Sequence, residues 1–178
     1  MTSWVWYFAY GSNMQRATFR GRRGIEPRRA VAVRAAGWRL VLDKPPLFSM
    51  GHSFANVVRD AQAIVCGVAY EITADDMAHV EFSEGVQLGN YARAELTVQP
   101  LDPGAESLHV FTLTSEKRAT GLQPSTRYMG LLIDGALEHG LPDDWIAMLR
   151  TIPALEESAM AKAARSLLDR VIKKPGPR

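Results

Sequence analysis

The chain has 178 residues, 47% of them hydrophobic and 22% charged, with a formal charge of +2 and a single cysteine. That is the composition of a globular protein long enough to bury a core, and the simplest reading is one domain over residues 1–178. A lone Cys66 excludes a disulfide framework, and no apolar run approaches the roughly 20 residues that cross a bilayer.

The apolar stretch Thr2 to Ala9 lacks a basic flank and is short for a secretory signal, so the expected compartment is the cytoplasm. Trp4–Ala9 is aromatic and β-branched, the pattern of a strand. Asn13 is placed to cap a short helix running to about Arg20, with Gly21 ending it. Arg29–Arg34 and Trp38–Asp43 read as two strands joined through Ala36-Gly37. Lys44–Ser53, with Pro45-Pro46 and Gly51, reads as a loop. Ala63–Ile72 is a continuous apolar run that suits a buried strand.

Thr73 then opens a helix, with Asp76 three positions on as a partial capping box and Gly85 as the stop. Tyr91–Val98 alternates with period two, a half-buried strand, and Leu108–Thr114 is its partner across the Pro100–Glu106 turn. Ser125 caps a helix over Thr126–His139, Gly140 follows its end, and Pro142 restarts a helix through Arg150. A last helix spans about Leu155–Ile172, and residues 172–178 read as a frayed tail. Strands come first and helices late, which favours an α+β fold or a closed mixed sheet over a doubly wound one.

Between Gln15 and Lys44 lie nine basic residues (Arg16, Arg20, Arg22, Arg23, Arg28, Arg29, Arg34, Arg39, Lys44) against Glu26 and Asp43. This excess suits an anionic partner, but no aromatics interleave with Arg22–Arg29, so a solvated rim is the plainer reading and a nucleic-acid interface is not expected. The four histidines (His52, His79, His109, His139) share no ligand spacing, so no metal is expected; His139 suits a dipole-compensating cap and Cys66 a core thiol. No nucleotide fingerprint is present.

Two places carry chemistry. The strand ending in Tyr10-Gly11-Ser12-Asn13 at a helix start aims successive backbone N–H groups outward, an arrangement that binds a carboxylate or polarises a carbonyl. A capped turn that binds nothing fits the tetrapeptide equally well. Ser12 lacks the elbow and the partners of a nucleophile. Glu84, at a helix C-terminus, faces the negative dipole end, and Glu81 three residues earlier adds repulsion, so its charged form is disfavoured and a proton-shuttling role is open. On local pattern alone a solvated carboxylate is the plainer reading.

Taken together, Phe8-Ala9-Tyr10-Gly11-Ser12-Asn13-Met14, Glu84-Gly85-Val86 with Gly89 and Tyr91, Pro124-Ser125 with Tyr128, Gly135-Ala136 and Gly140-Leu141-Pro142 ahead of Trp145 resemble the γ-glutamylcyclotransferase family over roughly residues 6 to 150. The resemblance implies a small, mostly closed mixed sheet or barrel with flanking helices and a cavity at its mouth. It implies Glu84 as the catalytic acid/base, Tyr10, Gly11, Ser12 and Asn13 around the glutamyl end of the substrate, and Tyr91 and Tyr128 with hydroxyls that reach substrate or Glu84. It implies cyclisation of a γ-glutamyl amino acid or amine to 5-oxoproline without metal or cofactor. The alternatives are a γ-glutamyl group removed from an amine or a biosynthetic intermediate, or a ligand binder of the same fold; the signatures of glutathione-specific relatives differ. The implied partner is a small-molecule γ-glutamyl substrate, not nucleic acid or membrane, with a homodimer open. Leaving-group specificity is expected in Lys44–Ser53 and Thr114–Gln123.

Overall fold

The computed structural model describes residues 2–47 and 51–172. Among them, β1 (Trp4–Ala9), β2 (Arg29–Lys44), β3 (Phe54–Thr73), β4 (Ala92–Pro100) and β5 (Leu108–Thr114) close into a barrel in the spatial order β1-β3-β2-β4-β5. Helix α1 (Ala74–Ser83) lies between β3 and β4, while α2 (Thr126–Glu138), α3 (Asp143–Thr151) and α4 (Ala159–Ile172) follow the last strand. Neighbouring strands pair antiparallel except β1 with β5, where Tyr7 opposite Phe111 closes the ring in parallel. This is the α+β class and the closed mixed sheet that the order of elements predicts. The tail at 173–178 lies outside the described residues.

The two strands expected at Arg29–Arg34 and Trp38–Asp43 are one bent strand. Its pairing with β3 slips between Ala36 and Trp38, around Gly37 at φ 80°. A bulge at a glycine turns the strand without ending it. β3 likewise begins at Phe54, well before the expected Ala63. Its second half, Val65–Ile72, is buried throughout, so alternation vanishes there and the apolar run is visible. Its first half carries Arg59, Asp60 and Gln62 and becomes strand only because β2 lies alongside. At Gly67 a Cβ would stand 2.4 Å from the Ala9 carbonyl oxygen and 2.7 Å from the Phe8 ring, so only glycine lets β1 lie this close.

The chain leaving β1 makes a 3-10 turn over Ser12–Met14 and then a π-helical turn over Ala17–Arg22. Neither the Asn13 cap nor the stop at Gly21 is observed. Gly11 occupies the cap position and no side chain caps the turn, while Gly21 sits inside the second turn. The wide turn, with Arg23 N–H reaching Thr18 C=O at 3.0 Å, buries Phe19 against Tyr70 (centroids 4.3 Å apart) and swings Arg23 inward. Helix α4 starts at Ala159 rather than Leu155. Leu155 instead exchanges backbone bonds with Pro124 (3.0 Å) and Thr126 (2.9 Å), and the Ser158 hydroxyl accepts from Ala161 N–H. His139 holds the C-cap position of α2, but burial lowers its pKa and so works against a compensating charge there; its Nε2 lies 3.1 Å from the Tyr70 hydroxyl.

Two features of this packing give measurable consequences. On α2, a Cβ at Gly135 would stand 2.6 Å from Gln15 N and 2.7 Å from Met14 C, whereas one at Gly130 meets nothing within 4 Å. Gly135→Ala is therefore expected to destabilise by about 1–3 kcal/mol. Gly130→Ala should stabilise by roughly 0.5–1 kcal/mol through helix propensity, and denaturant titration of the pair checks both signs. The Lys44 amine, buried at the end of β2, is pushed down from 10.5 to about 8, chiefly by that burial and against the opposing pull of Glu84. Between those values the unfolded chain keeps a proton that the folded chain has released, so this group adds stability as pH rises from about 8. Lys44→Met should flatten that rise in thermal unfolding followed from pH 7 to 10.

Candidate active site

A cavity of about 450 Å³ opens where the turn after β1, the C-terminal end of α1 and the first turns of α2 meet. Glu84, Tyr10, Gly11, Ser12, Asn13, Tyr91 and Tyr128, separated along the chain, all line it. Gly11 comes close to Tyr128: a Cβ there would stand 3.1 Å from its hydroxyl, so the phenol would have to give by a few tenths of an ångström. Tyr128 is set by the start of α2, where its N–H donates to the Ser125 hydroxyl at 3.1 Å. Glu84 follows α1 directly, and Gly85 at φ 71° turns the chain back. Asn90 clamps that turn: its N–H bonds Gly85 C=O at 3.0 Å and its side-chain amide donates to Glu84 C=O at 2.9 Å.

The polar floor is organised by Arg23, 4% exposed. Its Nε donates to Asn13 Oδ1 at 2.6 Å, and its terminal nitrogens donate to the Ser83 hydroxyl and to Glu84 Oε1. Asn13 Nδ2 donates in turn to the Tyr7 hydroxyl at 3.0 Å and to Glu84 Oε1 at 3.3 Å. Oε1 is thus held from two sides, while Oε2 takes no hydrogen bond among the described residues. The carboxylate remains 23% exposed, toward the cavity it lines. Glu81, expected to add repulsion, is paired with Arg93 on β4. The charge that meets Glu84 is the guanidinium of Arg23.

Tyr10, Tyr91 and Tyr128 line the cavity as expected, and their hydroxyls are engaged differently from one another. The Tyr91 hydroxyl donates to Ala55 C=O at 2.9 Å and does not bond Glu84; the Tyr10 hydroxyl is engaged with Leu113 C=O at 2.5 Å. The Tyr128 hydroxyl accepts from Ala55 N–H at 3.1 Å, which leaves its own proton for a cavity ligand. Burial, assisted by the charge of Glu84, holds the Tyr7, Tyr10, Tyr91 and Tyr128 phenols well above their ordinary range. They enter the site as neutral hydroxyls.

The basic stretch read as a solvated rim is only partly that. Arg20, Arg28, Arg29 and Arg39 are indeed exposed, but Arg23 and Lys44 are buried in the cavity wall. Lys44 Nζ donates to Asn90 Oδ1 at 2.6 Å and to Pro45 C=O at 2.5 Å, and lies 4.8 Å from the centre of the Tyr91 ring. Neither residue carries a local sequence signal; each is one cation in a run of cations. Of the loops expected to contact the leaving group, Lys44–Ser53 supplies Lys44, Pro46, Leu47 and His52, with 48–50 outside the described residues. The segment 114–123 supplies none among those described; α1, the turn after it and α2 contribute instead.

A family model described as the AIG2-like family matches residues 64–149. The chain is 38% identical over 166 residues to the gamma-glutamyl cyclotransferase aclK of Aspergillus oryzae (strain ATCC 42149 / RIB 40), which covers 82% of this chain. It spans 60% of that relative's own length. Among solved structures it resembles one described as gamma-glutamyl cyclotransferase, with a TM-score of 0.76 at 19% identity over 93% of this chain and 99% of that one. It also resembles YkqA of Bacillus subtilis, with a TM-score of 0.72 at 20% identity over 85% of this chain and 56% of that one. These last two speak for the fold, the first two for kinship, and with them the chain belongs to the γ-glutamylcyclotransferase family, AIG2-like group.

Proposed function

We propose that this protein is a γ-glutamylcyclotransferase that closes a γ-glutamyl amino acid or amine into 5-oxoproline, with Glu84 as the proton carrier. The observation that carries this reading is the asymmetry of the Glu84 carboxylate. One oxygen is fixed by Arg23 and Asn13, and the other faces the cavity beside the Gly11–Asn13 turn. A base held in one orientation with one lone-pair set free is the arrangement that proton transfer requires.

The substrate brings its own nucleophile. Its α-ammonium loses a proton to Glu84 Oε2, and the resulting amine attacks the γ-carbonyl carbon, forming the C–N bond of a five-membered lactam. The former carbonyl oxygen carries the negative charge of the tetrahedral intermediate, and the Gly11–Asn13 turn, which lines the cavity, is our candidate source of the backbone N–H groups that stabilise it. Glu84 then returns the proton to the departing nitrogen as the second C–N bond breaks, and the carboxylate so regenerated takes the surplus proton of the ring nitrogen and passes it to the released amine, which leaves as the ammonium. Products are 5-oxoproline and the free amine, with no water consumed. Because the attack is intramolecular, the site needs chiefly to hold the folded conformer, which fits a cavity with few charged groups on its floor. The Tyr128 hydroxyl, with its proton unspent, is placed to hold the glutamyl end.

Incubation with γ-glutamylalanine and γ-glutamyl-ε-lysine, following 5-oxoproline release, tests the reading. Turnover of at least one is expected, and Glu84→Gln should lower kcat by about 10²–10⁴-fold with the fold intact. Binding across such a panel without turnover would return the protein to a ligand-binding role. Arg23→Lys keeps the charge but loses the planar fork that reaches Asn13, Ser83 and Glu84 together. It should lower kcat roughly tenfold to hundredfold through a misplaced carboxylate, with KM changed far less.

A further inference from the structure

The cavity has two unlike ends. Its floor is polar, formed by Tyr7, Asn13, Arg23 and Glu84. The rest of its lining includes Pro46, Leu47, Phe54, Phe82, Leu88 and Leu131, with Arg22, His52, Gln87, Arg127 and Glu157 among them. Of these, Leu47, Phe82 and Leu88 are 38%, 57% and 65% exposed. Single exposed leucines need no explanation, but three large apolar side chains lining one cavity from three separate segments form an exposed apolar surface among the described residues.

None of the three belongs to the buried core among the described residues. On α1 the buried apolar positions are Met77 and Val80, and Phe82 stands apart from them in solvent. Leu88 sits on a tight turn bounded by Gly85 and Gly89, both with positive φ, and no residue of that turn is buried. Phe54 packs edge-on against Tyr128, with ring centres 5.1 Å apart, so the apolar wall continues directly into the catalytic end.

We infer that the group released by this enzyme is a bulky apolar amine or amino acid, with a side chain of leucine size or larger, seated against Leu47, Phe82 and Leu88. The inference rests on the cyclotransferase reading and specifies its leaving group. With the glutamyl half held at the floor by Glu84 and the Gly11–Asn13 turn, the γ-amide nitrogen and its substituent point away from the floor, toward the opening. A substituent there covers exposed apolar surface, and the difference from a methyl side chain is expressed in kcat/KM. A cavity of about 450 Å³ falls within the range that accommodates such a two-part ligand.

The test is a matched pair, γ-glutamylphenylalanine against γ-glutamylalanine, measured as 5-oxoproline release by the full chain. The phenylalanine compound should show at least tenfold higher kcat/KM. Leu88→Ser and Phe82→Ser, both at exposed positions and therefore tolerated by the fold, should each shrink that ratio at least threefold. Calorimetric binding of the same pair to Glu84→Gln reads the preference without turnover. A total absence of 5-oxoproline would sink the cyclotransferase reading and with it the release step, while the binding ratio separately decides whether the apolar wall seats the substituent. Equal or tighter handling of the alanine compound overturns it, as does a ratio unmoved in both serine variants. A dimer in sedimentation that dissociates on Leu88→Ser would also overturn it, since the patch would then be covered by a second copy.

Discussion

The contact on which the site depends is the bridge from Arg23 to Glu84, made with Asn13 between them. It joins the segment after β1, the π-helical turn that follows and the end of α1, three pieces that the barrel brings to one rim. A largely buried guanidinium is costly to desolvate, and a well-packed apolar replacement would often be at least as stable. Its presence is better explained by orientation than by stability. The planar fork satisfies three acceptors at once, and only one of them is the carboxylate that faces the cavity.

Around that bridge the backbone is brought close by small residues at particular crossings. Gly67 admits β1, Gly11 admits the Tyr128 hydroxyl, and Gly135 admits the Met14–Gln15 backbone against α2. Each substitution of hydrogen by a methyl would press on a neighbouring segment, and at Gly11 that neighbour lines the cavity. The tyrosines complete the enclosure differently. Tyr10 and Tyr91 spend their protons on the carbonyls of Leu113 and Ala55, so they behave as struts, whereas Tyr128 accepts at Ala55 and keeps a proton to give. Hydroxyls of the same chemical type, lining the same space, therefore have different roles set by what stands opposite them.

Much of the fold is legible in the chain order. The Thr73 cap, accepting from Asp76 N–H at 3.0 Å, the Ser125 cap and the glycine after α1 fall where short-range pattern places them. The elements that differed did so where a neighbour overrode local preference. The polar first half of β3 is strand because it lies along β2, and the expected Asn13 cap gives way because the Asn13 side chain is drawn to Arg23, Tyr7 and Glu84.

The amino-acid sequence by itself determined the class of fold, the punctuation of most helices, and the two segments that hold Glu84 and the Tyr10–Asn13 turn. Caps, turns and hydrophobic period are interactions between residues a few positions apart, so they are written locally. Only the tertiary structure decided which arginine of a basic run is buried, that Glu84 answers to Arg23 rather than Glu81, and that the Tyr91 hydroxyl faces Ala55. Those pairings span separations of 61 residues for Arg23 with Glu84 and 36 for Tyr91 with Ala55. A charge or hydroxyl has no preferred partner at that range until barrel closure removes water and brings the groups within hydrogen-bonding distance.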